Sequence, residues 1–234
     1  MSQMERIRQF AEELLTFQEL PEPPDRWLWD RACRIARYVQ LICKFPEILE
    51  KGEAADPFCL TAAAYLSDVG FKLYAGVKGL SLQASTLELR GRELRDFSVR
   101  IIHEKCAGSP ITSNLDRICR ILAESENRLT RMPEAMILSD ARSLNDVGNL
   151  GVLQEIRRCL LQGKGPEGLL EGWDRKIEYR YWEARLKEGF HLRSVQQIAQ
   201  QRFSAMEQCI LQLRSEHLGS DLENISLESI DSVL

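Results

Sequence analysis

Residues 57–70 read PFCLTAAAYLSDVG. Apolar and small residues fall on nearly every side of a helix wound from this stretch, and Asp68 near its end is its one charged residue. A helix without a polar face has to be enclosed by others. The stretch is therefore expected to be a central buried helix. Its run Ala62-Ala63-Ala64 lets neighbouring helices approach closely.

Outward from this centre, the chain reads as amphipathic helices punctuated by Pro and Gly. Towards the N-terminus, residues 26–43 place Trp27, Leu28, Ala32, Ile35, Ala36, Val39 and Ile42 on one side of a helix. PEPPD at 21–25 breaks the chain before it, and Asp25 is placed to cap it. Residues 2–18 carry Ile7, Phe10, Ala11, Leu14 and Leu15 at helical spacing. Towards the C-terminus, helices are expected at 87–106, from Ser113 or Asn114 to about 125, at 133–146, 152–162, 167–188 and 192–217. Pro133 suits a first helical turn. Gly148 and Gly151 mark a bend, and GKGPEG at 163–168 marks a loop. The tail from 218 to 234 is polar and acidic, with weak apolar spacing. Strand-like alternation persists nowhere. The expectation is one all-α domain over 1–234, a compact helical bundle of about nine helices with its core in 26–217.

Composition narrows the function classes. The 234 residues carry 31 Lys+Arg against 35 Asp+Glu, a net charge of −4, so no basic nucleic-acid surface is expected. No apolar run approaches the roughly 20 residues that cross a bilayer. The opening MSQMERIRQFAEELL lacks the uncharged core of a signal peptide. Seven Cys with scattered spacing and no CxxC read as reduced thiols used as small hydrophobes, which fits a cytoplasmic protein. Histidine is scarce. Any metal or acid–base chemistry that needs imidazole must find it among His103, His191 and His217.

Five stretches arrive in a recognisable order: LWDRACRIARYV at 28–39, LTAAAYLSDVGF at 60–71, ICRILAESENR at 118–128, PEAMILSDARSLNDVGNLG at 133–151 and AQQRFSAMEQCILQLRSEH at 199–217. Together they resemble the HD-domain superfamily of metal-dependent phosphohydrolases, in particular its small bacterial single-domain members. The resemblance implies an all-α fold around a divalent-metal site. In that family a first His, a His-Asp pair and a later Asp hold metal that activates water against a phosphoester.

Mapped position by position, this sequence departs from the family pattern. The first-His position falls on Arg31, and the His-Asp pair reads Ser67-Asp68. The family's Asp-Ala-Asp reads Asp140-Ala141-Arg142, so the last ligand position is either Asp140 or Arg142. The His that often follows the ICRILAES-like helix falls near Ser125, between Glu124 and Glu126, and Asn145 stands where another acid is common. An Arg has no lone pair with which to ligate a metal. No family-type metal centre is therefore expected. Arg31 or Arg142 is expected to pair with Asp68, because buried charges persist when paired.

Two guanidinium forks also suit a phosphate or carboxylate. Arg31, Ser67, Asp68, Asp140 and Arg142 are thus the candidate ligand site, with Asp68 the best candidate for any catalytic role. The leading expectation is a relative that has lost its phosphohydrolase activity and binds a small anionic or phosphorylated ligand without a cofactor, or a protein partner. The alternative is a surviving hydrolase acting on a nucleotide or other phosphorylated metabolite, holding Mg²⁺ or Mn²⁺ through Asp68 and Asp140. A purely structural module and a homo-oligomer both stay open. No membrane association is expected. His103 is read as an exposed helical residue, His191 as packing or capping at a helix entry, and His217 as a helix-end residue. GKGPEG lacks the spacing of a phosphate-binding loop. RKIEYRYWEARLK at 175–187 is read as an amphipathic helix with snorkelling basic side chains.

Overall fold

The computed structural model describes residues 1–17, 23–49, 55–79, 92–106 and 114–222. The chain is all-α. Twelve helices lie among the described residues, and the sole strand-like feature there is a bridge between Phe17 and Asp25. None of these helices is long and apolar enough to cross a membrane. The chain divides into two units: unit 1 is Met1–Asn145 with Gly189–Gln196, and unit 2 is Asp146–Glu188 with Gln197–Leu234.

Unit 1 is organised around α4 (Pro57–Leu66), in which every residue from Cys59 to Ala64, and Leu66, is buried. Asp56 starts this helix by accepting hydrogen bonds from the N–H groups of Phe58 and Cys59, with Pro57 in the first turn. α1 (Gln3–Leu15) and α2 (Trp27–Ile42) pack against α4. Ser2 and Glu5 close a reciprocal capping box on α1. The Asp25 carboxylate accepts from the N–H of Trp27 at the start of α2, as expected. α3 (Pro46–Leu49) is a single turn after α2. α5 (Phe71–Lys78) and α6 (Arg92–Cys106) pack on each other, and α6 packs on α7 (Leu115–Glu124). α8 (Pro133–Asn145) packs against α2, α4 and α7.

Unit 2 holds α9 (Asn149–Leu161), α10 (Pro166–Glu178) and α11 (Tyr181–Glu188). It also takes in α12 (Arg193–Leu218) from Gln197 onward. Gly148 turns the chain into α9 at φ +95°, a left-handed conformation that a side chain would strain, and an added Cβ would stand 3.1 Å from Arg202 Cβ.

Several boundaries differ from the sequence expectation. The buried helix expected over 57–70 ends at Leu66, because Ser67–Gly70 form a tight turn into α5. Gly70 meets α6 there so closely that a Cβ would lie 2.3 Å from the Ser98 backbone nitrogen. The single helix expected over 167–188 is two, because Arg180 adopts φ +51° between α10 and α11. Trp182, just beyond that break, is buried against Trp173 and Phe203 at 5.8 and 5.5 Å between ring centroids. Gly151 lies inside α9 rather than at a bend, and the loop expected over 163–168 closes at Gly165, where α10 begins. The split at Arg180, with the short α3 and α5, raises the expected nine helices to twelve. Residues 87–91 of one expected helix, Ser113 of another, and the tail beyond Leu222 lie outside the described residues.

Candidate functional site

Three helices of unit 1 and two turns deliver charged side chains to one buried cluster. α2 contributes Arg31, which points inward with its neighbours Leu28, Ala32 and Ile35 and is 2% exposed. The turn after α4 contributes Asp68, fully buried. α6 contributes Arg95, also fully buried. The turn after α7 contributes Glu126, and the last turn of α8 contributes Arg142.

The contacts alternate in sign. Arg31 Nη1 donates to Asp68 Oδ2 at 2.5 Å. Arg95 Nη1 stands 2.9 Å from Asp68 Oδ1 as an ion pair, and Arg95 Nε donates to Glu126 Oε1 at 3.2 Å. Arg142 Nη1 donates to the same Oε1 at 2.6 Å. Asp68 is thus held between two guanidiniums, and Arg95 is held between two carboxylates.

Burial and pairing pull on these groups in opposite directions. Burial opposes ionisation of Asp68, but Arg31, then Arg95 and Arg142, outweigh it and hold the carboxyl far below the usual range. Glu126 follows the same pattern, with Arg142 and Arg95 overcoming its burial and keeping it low. Burial and the neighbouring charge of Arg142 pull Arg95 down to about 10, against the opposing effect of Asp68 and Glu126. Asp68, Glu126 and Arg95 are therefore charged at neutral pH.

The divalent-metal centre implied by the family resemblance needs imidazoles and carboxylates with lone pairs free to point at an ion. Arg31 and Arg95 cover the two oxygens of Asp68, and Arg142 adds a third positive charge nearby. The residues present do not fit such a metal. Among the described residues, no three side chains of His, Cys, Asp and Glu gather into a group that would hold one.

The other candidates are placed as follows. Arg31 pairs with Asp68, but Arg142 pairs with Glu126, one step further along the cluster. The Ser67 hydroxyl donates back to the Ala64 carbonyl, and the Ser67 carbonyl accepts from Ser98 Oγ, so Ser67 fastens the turn to α6. Asp140 is fully buried and engaged elsewhere. Its oxygens accept from the N–H groups of His191 and Leu192 at 2.8 Å each, and His191 Nδ1 lies 3.0 Å from Oδ1. Asp140 thus clasps the entry of α12, and His191 sits at that entry as the sequence suggests. Asn145 accepts from Arg34 Nε at 3.1 Å. Glu124 is tied to Asn127 rather than to the cluster. Sequence reasoning missed Arg95. Its signal is its position, since it shares the buried stripe of α6 with Leu94, Ser98 and Ile102.

Unit 2 separately holds a pocket of about 370 Å³ whose walls include Ile156, Cys159, Leu169, Leu170 and Leu213.

No family model matches the chain. No curated protein matches it either. Solved structures do. The chain resembles Bacillus subtilis YpgQ in fold. The structure of YpgQ in complex with ADP superposes with a TM-score of 0.59 at 18% identity, covering 92% of this chain and 97% of that one. A second YpgQ structure gives 0.55 at 19% identity, covering 91% and 94%. At these identities the likeness establishes the fold alone.

Proposed function

We propose that this chain is an HD-domain-like protein in which binding of a small phosphorylated anion has replaced metal-dependent phosphohydrolysis. The observation that carries this reading is the convergence of three guanidiniums, from α2, α6 and α8, in one buried cluster. Arg31, Arg95 and Arg142 face two carboxylates, Asp68 and Glu126. Guanidinium forks from three helices match the several oxygens of a phosphoryl group. The fold neighbour YpgQ was crystallised with ADP, which supports a nucleoside diphosphate as the first ligand class to try. Seven free thiols suit a reducing compartment such as the cytoplasm.

Calorimetric titration with ADP, with and without Mg²⁺ or Mn²⁺, tests the reading. The expected result is binding that needs no metal and weakens at least tenfold in Arg142→Met. Stoichiometric Mn²⁺ binding, with phosphoester turnover lost in Asp68→Ala, would overturn it in favour of a working hydrolase.

A further inference from the structure

We propose that the pocket of unit 2 binds a single-chain aliphatic carboxylate of about eight to twelve carbons, with the chain inside the pocket and the headgroup at Lys164.

Three helices of the same unit build the walls. Ile156 and Cys159 come from α9, Leu169 and Leu170 from α10, and Leu213 from α12. Cys159, Leu169 and Leu170 are buried there. The pocket encloses about 370 Å³. A cavity of about 150 Å³ takes a six-carbon ring, so this one takes roughly twice as many carbons. Leu160 at its edge is 68% exposed, and a chain entering there covers it.

The chemistry of the walls selects an aliphatic chain. Among the described residues, the His217 imidazole is the one ring in the lining, so a planar base has no face to stack on. No side-chain hydroxyl or amide lines the pocket either, so the hydroxyls of a sugar would give up water for few partners. Flexible hydrocarbon loses nothing there, and each methylene it buries contributes about fourfold in affinity.

The polar residues gather at the rim and set the headgroup. Lys164 lies in the turn between α9 and α10, where its N–H donates to the Cys159 carbonyl at 2.8 Å. Its stem runs beside the first turn of α10, since a Cβ added to Gly168 would stand 3.0 Å from Lys164 Cβ and 3.2 Å from its Cδ. Among the described residues, no carboxylate pairs with the Lys164 ammonium. Glu216, the one acid of the lining, accepts from Gln212 Nε2 at 3.0 Å, one turn back along α12. A carboxylate at the mouth therefore meets a cation that nothing else neutralises, whereas an ammonium is repelled and an alcohol gains no charge pairing.

The test titrates the full chain calorimetrically with hexanoate, octanoate, decanoate, dodecanoate and tetradecanoate below their micelle concentrations, and with decanol. Affinity should rise at least fivefold with each added pair of methylenes up to dodecanoate, then gain less than threefold at tetradecanoate, whose last carbons no longer fit. Decanoate should bind at least threefold tighter than decanol. Lys164→Gln, at an exposed position, should remove that difference and leave decanol binding unchanged. Leu213→Trp, which puts a ring into the half-buried wall, should weaken decanoate at least tenfold. The length series is read on the wild-type chain and decides the matter even if Leu213→Trp folds poorly. Absence of decanoate binding would overturn the proposal, as would affinity that keeps climbing past dodecanoate, equal binding of decanoate and decanol, or unchanged binding by a folded Leu213→Trp. Sedimentation showing that decanoate dissociates a dimer would assign the pocket to a second copy of the chain and overturn it as well.

Discussion

At the scale of the residue, Asp68 decides what the centre of unit 1 tolerates. Its carboxylate pairs with both Arg31 and Arg95, and both of those side chains are buried. Breaking a buried pair by removing one partner typically costs about 3–5 kcal/mol, because the remaining charge stays buried. Asp68→Asn keeps the shape and removes the charge. It should lower unfolding stability by about 3–5 kcal/mol, read as a drop in the urea midpoint with an unchanged slope. A loss below about 1 kcal/mol, the range of an exposed pair, would mean that solvent reaches Arg31 and Arg95. Arg142→Met should cost less, since both Arg142 and its partner Glu126 retain some exposure.

At the scale of the element, the outcome depends on where helices stop. The apolar spacing of α1, α2, α4, α7 and α8 was legible because each buries one stripe or, for α4, most of its surface. The turn at 67–70 was not, since Ser67 and Asp68 continue a helix as easily as they end one. What ends it is a tertiary approach: Gly70 packs on the backbone of Phe97 and Ser98, residues far away in sequence. The break at Arg180 was hidden for a similar reason, because a left-handed φ at a non-glycine residue has no sequence signature. At the site, the positions of Arg31 and Asp68 were legible from the family pattern. Arg95 belonged to no motif, and the true partner of Arg142 depends on how far the turn after α7 reaches. Paired glycine substitutions test the account of the turn. Gly70→Ala should destabilise by well over 1 kcal/mol, because backbone at 2.3–2.4 Å cannot yield as a flexible side chain does. Gly76→Ala, in α5 with nothing within 4 Å of the added Cβ, should stabilise by about 0.5–1 kcal/mol. Both are read from thermal or urea unfolding. A neutral Gly70→Ala would mean that the turn and α6 can separate.

At the scale of the whole molecule, the two units should differ in how they meet acid. Asp56, Asp68, Glu124, Glu126 and Glu134 are held below their ordinary range, and all five lie in unit 1. Partners on the page account for this: Asp56 caps α4, Glu124 accepts from Asn127, Glu134 accepts from Arg117 and the Asp56 N–H, and the central cluster holds the other two. When a folded carboxyl is held below its unfolded value, the unfolded chain binds more protons as pH falls. Its contribution to stability is therefore complete above the unfolded pKa of about 4 and drains away below it. Hydrogen exchange followed by peptide from pH 6 down to pH 3 should show protection failing in α2, α4 and α7 of unit 1 before α9 and α10 of unit 2. Asp68→Asn should flatten the acid limb of unit 1, since the variant lacks a proton-binding group there, while leaving the pH at which unit 2 opens unchanged. If protection in unit 2 failed first, or both units failed at one pH that Asp68→Asn did not move, the buried charges of the central cluster would not set the acid limit of the fold.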